Sequence, residues 1–406
     1  MLSKLVISQV IESQLERLRA GENDLLRYKG EFDSLDSHAL IVTGIRRCGK
    51  STLLQQIHRS YIGESMFLNL EDPRLTGFDV NDFNRLHELA LEKNVSAYFF
   101  DEIQNVDKWE SFVRFRLDEK YRIFITGSNA SMLSKELGTK LTGRHISKEL
   151  FPFSYSEYLK FTGLKRGEKS SLDYLKCGGF PEYIRRGMAE IIMQAFNDII
   201  IRDIAVRYGL RNTKALQQLA IWLVSNIGKR FTGNKLRKAM DISSSSSMME
   251  YLAYFADAYL FSYVPLFSYS YKVQLVNPRK VYCIDNSFVD INSVSFSEDK
   301  GRLLENMVFL KLRRNKHDIF YFTDKGECDF AVFEKGKIKG LYQVCWQLDQ
   351  DNSEREVNGL IEAMDFFNLG KATIITLNQK ETFINEEKTI EVLPYHEWDH
   401  IIKCPP

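Results

Sequence analysis

The sequence predicts an α/β protein: a P-loop NTPase fold on a parallel sheet, followed by a winged-helix region and a second α/β module. Three observations carry this. The apolar run Ala39-Leu40-Ile41-Val42-Thr43 leads into Gly44-Ile45-Arg46-Arg47-Cys48-Gly49-Lys50-Ser51, a G-x-x-x-x-G-K-[ST] loop with a helix-compatible segment after it. From residue 40 to about 150, short apolar runs alternate with helical segments, the pattern of parallel strands joined through helices. Between 211 and 290 the order is helix, helix, helix and hairpin, the winged-helix arrangement.

Taken in order, residues 6–20 read as an opening helix. Strands are expected at 40–43, 65–70, 97–101, 123–126 and 146–150, which with the opening helix make an ATPase core over 1–152. Helical periodicity then runs through 153–210, broken at Gly178-Gly179-Phe180-Pro181, as a small lid. The winged-helix region covers 211–296, with helices at 213–227, 233–240 and 244–258 and a hairpin-like stretch at 263–284. The serine run 243–247 stands where its third helix begins, and serine suits a helix N-cap. A last module, 297–406, offers a helix at 303–314, strands at 319–323, 328–334 and 340–346, a helix at 354–367 and a strand at 372–377.

Composition narrows the class. The chain has 406 residues, 44% hydrophobic and 27% charged, as in an ordinary globular protein. It has no run of 18 apolar residues, so a membrane span is not expected. Its first residues alternate apolar with charged and lack a signal-peptide core. Six cysteines are scattered without a C-x-x-C pair, and one of them sits in the glycine loop. That usage predicts reduced thiols and a cytoplasmic protein. Net charge is +1, yet residues 211–280 hold ten Lys/Arg against three Asp/Glu. Such a basic island predicts a polyanion partner, and we expect DNA to contact the region 229–280, with Lys229, Arg230, Lys235, Arg237 and Lys238 around the second helix and Lys272, Arg279 and Lys280 on the wing. The third helix lacks side chains suited to reading bases.

The chemistry begins at the loop. Its glycines let consecutive backbone N–H groups converge on a phosphate at a helix N-terminus. Lys50 would reach the outer phosphates of ATP, and the Ser51 hydroxyl would hold Mg2+. Gly44, Arg47, Cys48, Gly49 and Thr52 complete the expected nucleotide contacts. Ala97-Tyr98-Phe99-Phe100-Asp101-Glu102 is an apolar strand ending in two carboxylates, 51 residues after Lys50. Asp101 would hold the magnesium shell and Glu102 would polarise the attacking water. After strand 123–126, Ser128 or Asn129 would sense the γ-phosphate. Arg144, at a loop tip, would donate positive charge to the transferring phosphoryl group, either in its own chain or in a neighbouring subunit of a homo-oligomer.

Residues 41–159 resemble the AAA-type domain of the archaeal-type ATPases, relatives of the AAA+ and STAND P-loop ATPases. The resemblance is carried by 44–52, 99–104, 126–133, Gly143-Arg144, 149–158 (Glu-Leu-Phe-Pro-Phe-Ser-Tyr-Ser-Glu-Tyr) and 178–182, and it continues through 260–286. It implies a five-stranded parallel core, ATP with Mg2+, a winged-helix segment and a C-terminal α/β domain of PD-(D/E)xK type, similar to restriction endonucleases. The positions matching a nuclease centre are Glu305, Asp329 and Gln343-Val344-Cys345. Gln343 replaces a carboxylate and Cys345 the lysine, so the domain is expected to be catalytically inactive and retained for binding or regulation. Lys337 and Lys339 lie on the approach to that strand. Three readings follow: a hydrolytic ATPase coupled to this module, a nucleotide-gated STAND-like switch with slow turnover, and an ATP-dependent DNA nuclease.

Overall fold

A computed structural model of the chain describes residues 2–19, 25–28, 30, 37–128, 143–294, 299–385 and 387–402. Its contacts divide it into two compact units, Met1–Phe151 and Pro152–Pro406.

In the first unit β1 (Ala39–Thr43), β2 (Ser65–Asn69), β3 (Ala97–Asp101), β4 (Arg122–Gly127) and β5 (His145–Glu149) form one parallel sheet in the order β2-β3-β4-β1-β5. Every residue of β1 and β3 is buried. This is why both strands read as unbroken apolar runs instead of alternating ones. The helices are α1 (Lys4–Arg19), α2 (Lys50–Ser60), α3 (Asp82–Glu92) and α4 (Trp109–Asp118). One core packs Phe83, Tyr98, Phe100, Trp109 and Phe112 against α1 residues Ile7, Val10 and Ile11. The Phe83 and Phe112 rings stack with centroids 4.6 Å apart. Each such side chain contributes about 1.5–3 kcal/mol on burial.

The strand order positions the site. Because β4 lies between β1 and β3, its last residues stand between the end of β1 and the end of β3; Thr43 pairs with Gly127, and Phe100 with Ile125. Parallel strands bring all three C-terminal ends to one edge, where ligands of open α/β sheets bind.

The second unit begins with helices Tyr155–Thr162, Glu168–Cys177, Pro181–Arg186 and Ala189–Asp198 and a π-helical stretch, Ile199–Val206. Helix Thr213–Val224, β6 (Arg230–Phe231), helices Gly233–Ala239 and Ser245–Asp257, β7 (Phe261–Pro265) and β8 (Arg279–Cys283) follow. These strands pair antiparallel in the order β6-β8-β7. Ser244 caps the third of these helices by accepting the Ser247 N–H at 3.0 Å. The stretch 263–284 is not a plain hairpin, since a helical turn, Tyr271–Val276, separates its strands. Helices Asn286–Asn292 and Lys300–Arg314 lead to a six-stranded mixed sheet, β13-β14-β12-β11-β10-β9. Its strands are β9 (Asp318–Thr323), β10 (Glu327–Glu334), β11 (Lys337–Val344), β12 (Lys371–Thr376), β13 (Glu381–Asn385) and β14 (Lys388–Pro394), with helix Ser353–Phe367 between β11 and β12. The segments 153–210, 211–296 and 297–406 therefore lie within one compact unit.

Buried polar side chains tie that unit together. Asn306 is fully buried; its Oδ1 accepts the Cys283 N–H at 2.9 Å, and its Nδ2 donates to the Cys283 carbonyl at 3.0 Å and to Asn286 Oδ1 at 2.8 Å. Asp285 accepts the Gly179 N–H at 2.7 Å and the Ser287 N–H at 3.0 Å. Replacing Asn306 with an apolar residue strands donors and acceptors in a dry interior. Asn306→Leu is therefore expected to lower stability by about 2–4 kcal/mol in urea unfolding followed at the tryptophans; a loss within about 0.5 kcal/mol would contradict it.

Candidate nucleotide site

The loop between β1 and α2 needs its glycines. Gly44 has φ +140°, and a Cβ there would collide with the Leu150 carbonyl oxygen. Gly49, at φ +100°, precedes α2 and starts it with Lys50. Arg47 is also left-handed, at φ 65°. The loop is braced from behind. Arg27 donates to the Cys48 carbonyl at 3.0 Å and to the Phe151 carbonyl at 3.0 Å, and Gln56 of α2 accepts the Arg27 N–H at 2.9 Å. The Cys48 side chain is fully buried, and burial pushes its thiol pKa up. It is a packing residue of the loop and not an exposed nucleophile. Thr52 sits half-buried on the first turn of α2.

Around the loop the carboxylates converge. Ser51 Oγ donates to Asp101 Oδ1 at 3.1 Å, and Thr126 Oγ1 donates to the same oxygen. Thr126 Oγ1 also accepts the Glu102 N–H at 2.9 Å, so one hydroxyl fixes both acids. Glu102 takes φ 54°, a left-handed conformation that costs a non-glycine residue about 1–3 kcal/mol and clusters at working sites. Its carboxylate accepts from Gln104 Nε2, which reaches on to Ser128 Oγ at 3.3 Å. Lys50 is buried, donates to the Ile45 carbonyl at 3.1 Å and stands 3.9 Å from Glu102 Oε1.

These residues fit a magnesium nucleotide. Asp101 is buried, and burial together with the Glu102 charge pushes its pKa up to about 6, against the hydrogen bonds from Thr126 and Ser51. A cation held between Ser51 and Asp101 would relieve both causes. Gly44, Arg47, Cys48, Gly49, Lys50, Ser51, Thr52, Asp101 and Glu102 are thus brought to one edge of the sheet. Asn129 lies outside the described residues. Arg144 is not brought there: it precedes β5, its carbonyl accepts the Ala39 N–H at 3.0 Å, and its guanidinium pairs with Asp118 at the surface. Five strand residues, about 16 Å, separate that end of the sheet from the phosphate loop. A role for Arg144 toward its own nucleotide is therefore not what this geometry provides. Sequence reasoning missed Thr126, Gln104 and Arg27 as site residues. The end of strand 123–126 marked Thr126, whereas nothing in the pattern of 25–28 marks Arg27.

In the second unit, the nuclease-like positions meet a lysine from elsewhere in the chain. Lys280 of β8 is not the solvent-facing cation expected on a wing; it is buried, with Nζ 2.6 Å from Asp329, 2.8 Å from Glu327 and 3.1 Å from Glu305. Lys339 instead pairs with Glu334 at the surface. Cys345, half-buried, has its thiol pushed up to about 11 by burial. Glu356, which the sequence pattern did not single out, accepts from Gln343 Nε2 at 2.6 Å.

The fold and the loop define an AAA-like P-loop ATPase domain. A family model described as an AAA domain matches residues 36–159, and a second, a domain of unknown function, matches 168–293. The chain belongs to the family of an uncharacterized protein of Methanocaldococcus jannaschii, with which it is 35% identical over 427 aligned positions covering 97% of this chain and 95% of the relative. An uncharacterized protein of Haemophilus influenzae is 28% identical, over 88% of this chain and 93% of its own length. Among solved structures, a mutant of Thermotoga maritima RuvB is 16% identical over 64% of this chain and 88% of its own, at a TM-score of 0.29. A likeness at that score adds nothing to the fold described above.

The raised Asp101 pKa sets a pH dependence. As pH falls through about 6 the carboxyl gains a proton and loses its grip on a cation. For stability the sign is reversed from a salt-bridged acid, since the cost of the buried charge appears as pH rises from about 4 to 6. Affinity for a fluorescent ATP analogue with Mg2+ is expected to fall below about pH 6, while affinity in EDTA stays level. Parallel curves in the two buffers would contradict this.

Proposed function

We propose that this chain is a Mg2+-dependent ATPase whose cycle drives the winged-helix and pseudo-nuclease module of its second unit, acting on DNA. The observation that carries the reading is the shared hydroxyl of Thr126, which holds Asp101 toward Ser51 and Glu102 toward Lys50. Backbone N–H groups of 44–51 and the N-terminus of α2 bind the phosphates. Lys50 exchanges the Ile45 carbonyl for the outer phosphate oxygens. Ser51 and Asp101 would hold the magnesium ion, which would supply positive charge to the phosphates. Glu102 orients the attacking water and takes its proton on a carboxylate oxygen, with Gln104 and Ser128 holding that carboxylate in place. Asn129 is assigned the part of γ-phosphate sensor. Arg144, exposed at the far end of the sheet, is assigned to a neighbouring subunit's nucleotide in a homo-oligomer.

The helix, short strand, two helices and β7–β8 pair support the winged-helix reading, and the exposed Lys229, Lys235, Lys238 and Lys272 support DNA as its partner. One observation favours the slow switch as a second reading. Lys50 is held by its own loop and by Glu102, a closed resting arrangement in which the acid is already occupied.

Glu102→Gln tests the hydrolytic reading. Phosphate release is expected to fall at least about 100-fold, with nucleotide affinity unchanged within about threefold. Unaltered turnover would remove Glu102 from the reaction, and turnover at background in both proteins would favour the switch.

A further inference from the structure

The cluster around Lys280 forms the floor of an open cleft of about 620 Å³ between β8 and the six-stranded sheet. A nuclease-like domain would hold a divalent metal on these carboxylates. The residues do not fit one. The three carboxylates of Glu305, Glu327 and Asp329 converge on an ammonium, at 3.1, 2.8 and 2.6 Å. Further bonds engage the same acids. Asp329 Oδ2 accepts the Val344 N–H at 3.0 Å, Glu305 Oε1 accepts the Tyr282 hydroxyl at 2.6 Å, and Glu356 accepts from Gln343 and pairs with Arg355. Gln343 is occupied at both ends, since its Oε1 takes the Asp329 N–H at 3.0 Å. Among the described residues no grouping of His, Cys, Asp and Glu is arranged to hold a metal ion. Burial alone would lower the Lys280 pKa, yet Asp329 and Glu305 hold it well above the ordinary value, so the ammonium keeps its charge.

The cleft above this floor is basic. Lys229, Arg230, Lys280, Arg302, Lys325 and Arg355 line it, against the carboxylates of Glu305, Glu327, Asp329 and Glu356. The acids are paired from within the floor and its edge: Glu305 and Asp329 share Lys280, Arg230 meets Glu327 at 2.7 Å, and Arg355 meets Glu356. Lys229, just before β6, and Lys325, in the β9–β10 turn, stay exposed in its lining. Gly228 lets the chain pass beside the floor, since a Cβ there would come within 2.7 Å of Glu305 Oε2.

We propose that this cleft binds the phosphodiester backbone of DNA without a divalent metal, with Lys280 as its built-in cation and Lys229 and Lys325 as its rim. The proposal rests on the DNA part of the function proposed above. It separates binding from cleavage: the charge that a metal would bring to the acids is already there, and no Lewis acid is needed to hold the strand.

Fluorescence anisotropy of a labelled DNA duplex on the full chain, without nucleotide, tests it in EDTA and in Mg2+. Wild-type binding should persist in EDTA and be no weaker there than in Mg2+, since the rim acts through counter-ion release and Mg2+ competes for the same phosphates. Lys229→Glu/Lys325→Glu should weaken binding at least about tenfold and flatten the slope of log affinity on log salt by about 2. Lys335→Glu/Lys337→Glu, an equal change of charge on the exposed β10–β11 turn, should leave it near wild type. All four positions are exposed, so folding is not at stake. Binding that disappears in EDTA and returns with Mg2+ would put a metal on the floor and overturn the proposal. Wild-type binding that the rim reversals leave intact, or that both pairs weaken alike, would overturn the cleft alone. No binding by the wild type in either buffer would overturn the cleft and the DNA part of the proposed function together.

Discussion

The first unit depends on one hydroxyl. Thr126 stands on β4, which the sheet order places between the strand that feeds the phosphate loop and the strand that ends in Asp101. Its Oγ1 donates to the Asp101 carboxylate and accepts the Glu102 backbone N–H, so it ties one acid's side chain to the other's main chain. The arrangement is held against two costs: a buried carboxyl pushed up to about 6, and a glutamate in a left-handed backbone conformation. Such costs persist where the surrounding structure over-determines them, and they mark places where a ligand is to be met. A cation beside Asp101 would relieve the first of these costs.

Arginine 27 acts on the same site from the opposite side. Two carbonyls, Cys48 and Phe151, accept from its guanidinium, and Gln56 holds its backbone. The loop is thereby pinned by a planar, permanently charged group whose fork suits two acceptors, which a lysine would not reproduce. The phosphate loop is pre-organised by the buried Cys48, by this arginine and by the close approach of Gly44 to the end of β5.

Much of this was legible in the sequence because local rules and the global fold agree there. The five strands of the first unit announce themselves as apolar runs, and Gly44, Gly49, Lys50 and Ser51 follow from what a phosphate requires of a backbone. Asp101 and Glu102 were legible because a buried strand must end in them. The rest depends on contacts distant in sequence. Arg27 sits in a segment without periodicity. Arg144 looked like a phosphate donor by residue type, but only the direction of β5 reveals that it lies at the wrong end for its own loop. Lys280 was counted with the solvent-facing cations, because a basic stretch does not disclose which lysine turns inward toward carboxylates 25 and 49 positions away. Where the resemblance implied a lysine at the position of Cys345, the structure instead brings Lys280 from another strand against Glu305 and Asp329.

The central claim is that the acids around Thr126 form a hydrolytic magnesium–nucleotide site. The most direct measurement is steady-state phosphate release from ATP by the wild-type chain, in Mg2+ and in EDTA. The account predicts release that depends on Mg2+ and on ATP concentration, falling to background in EDTA. Background release in both buffers, at concentrations where ATP binding is saturated, would contradict it.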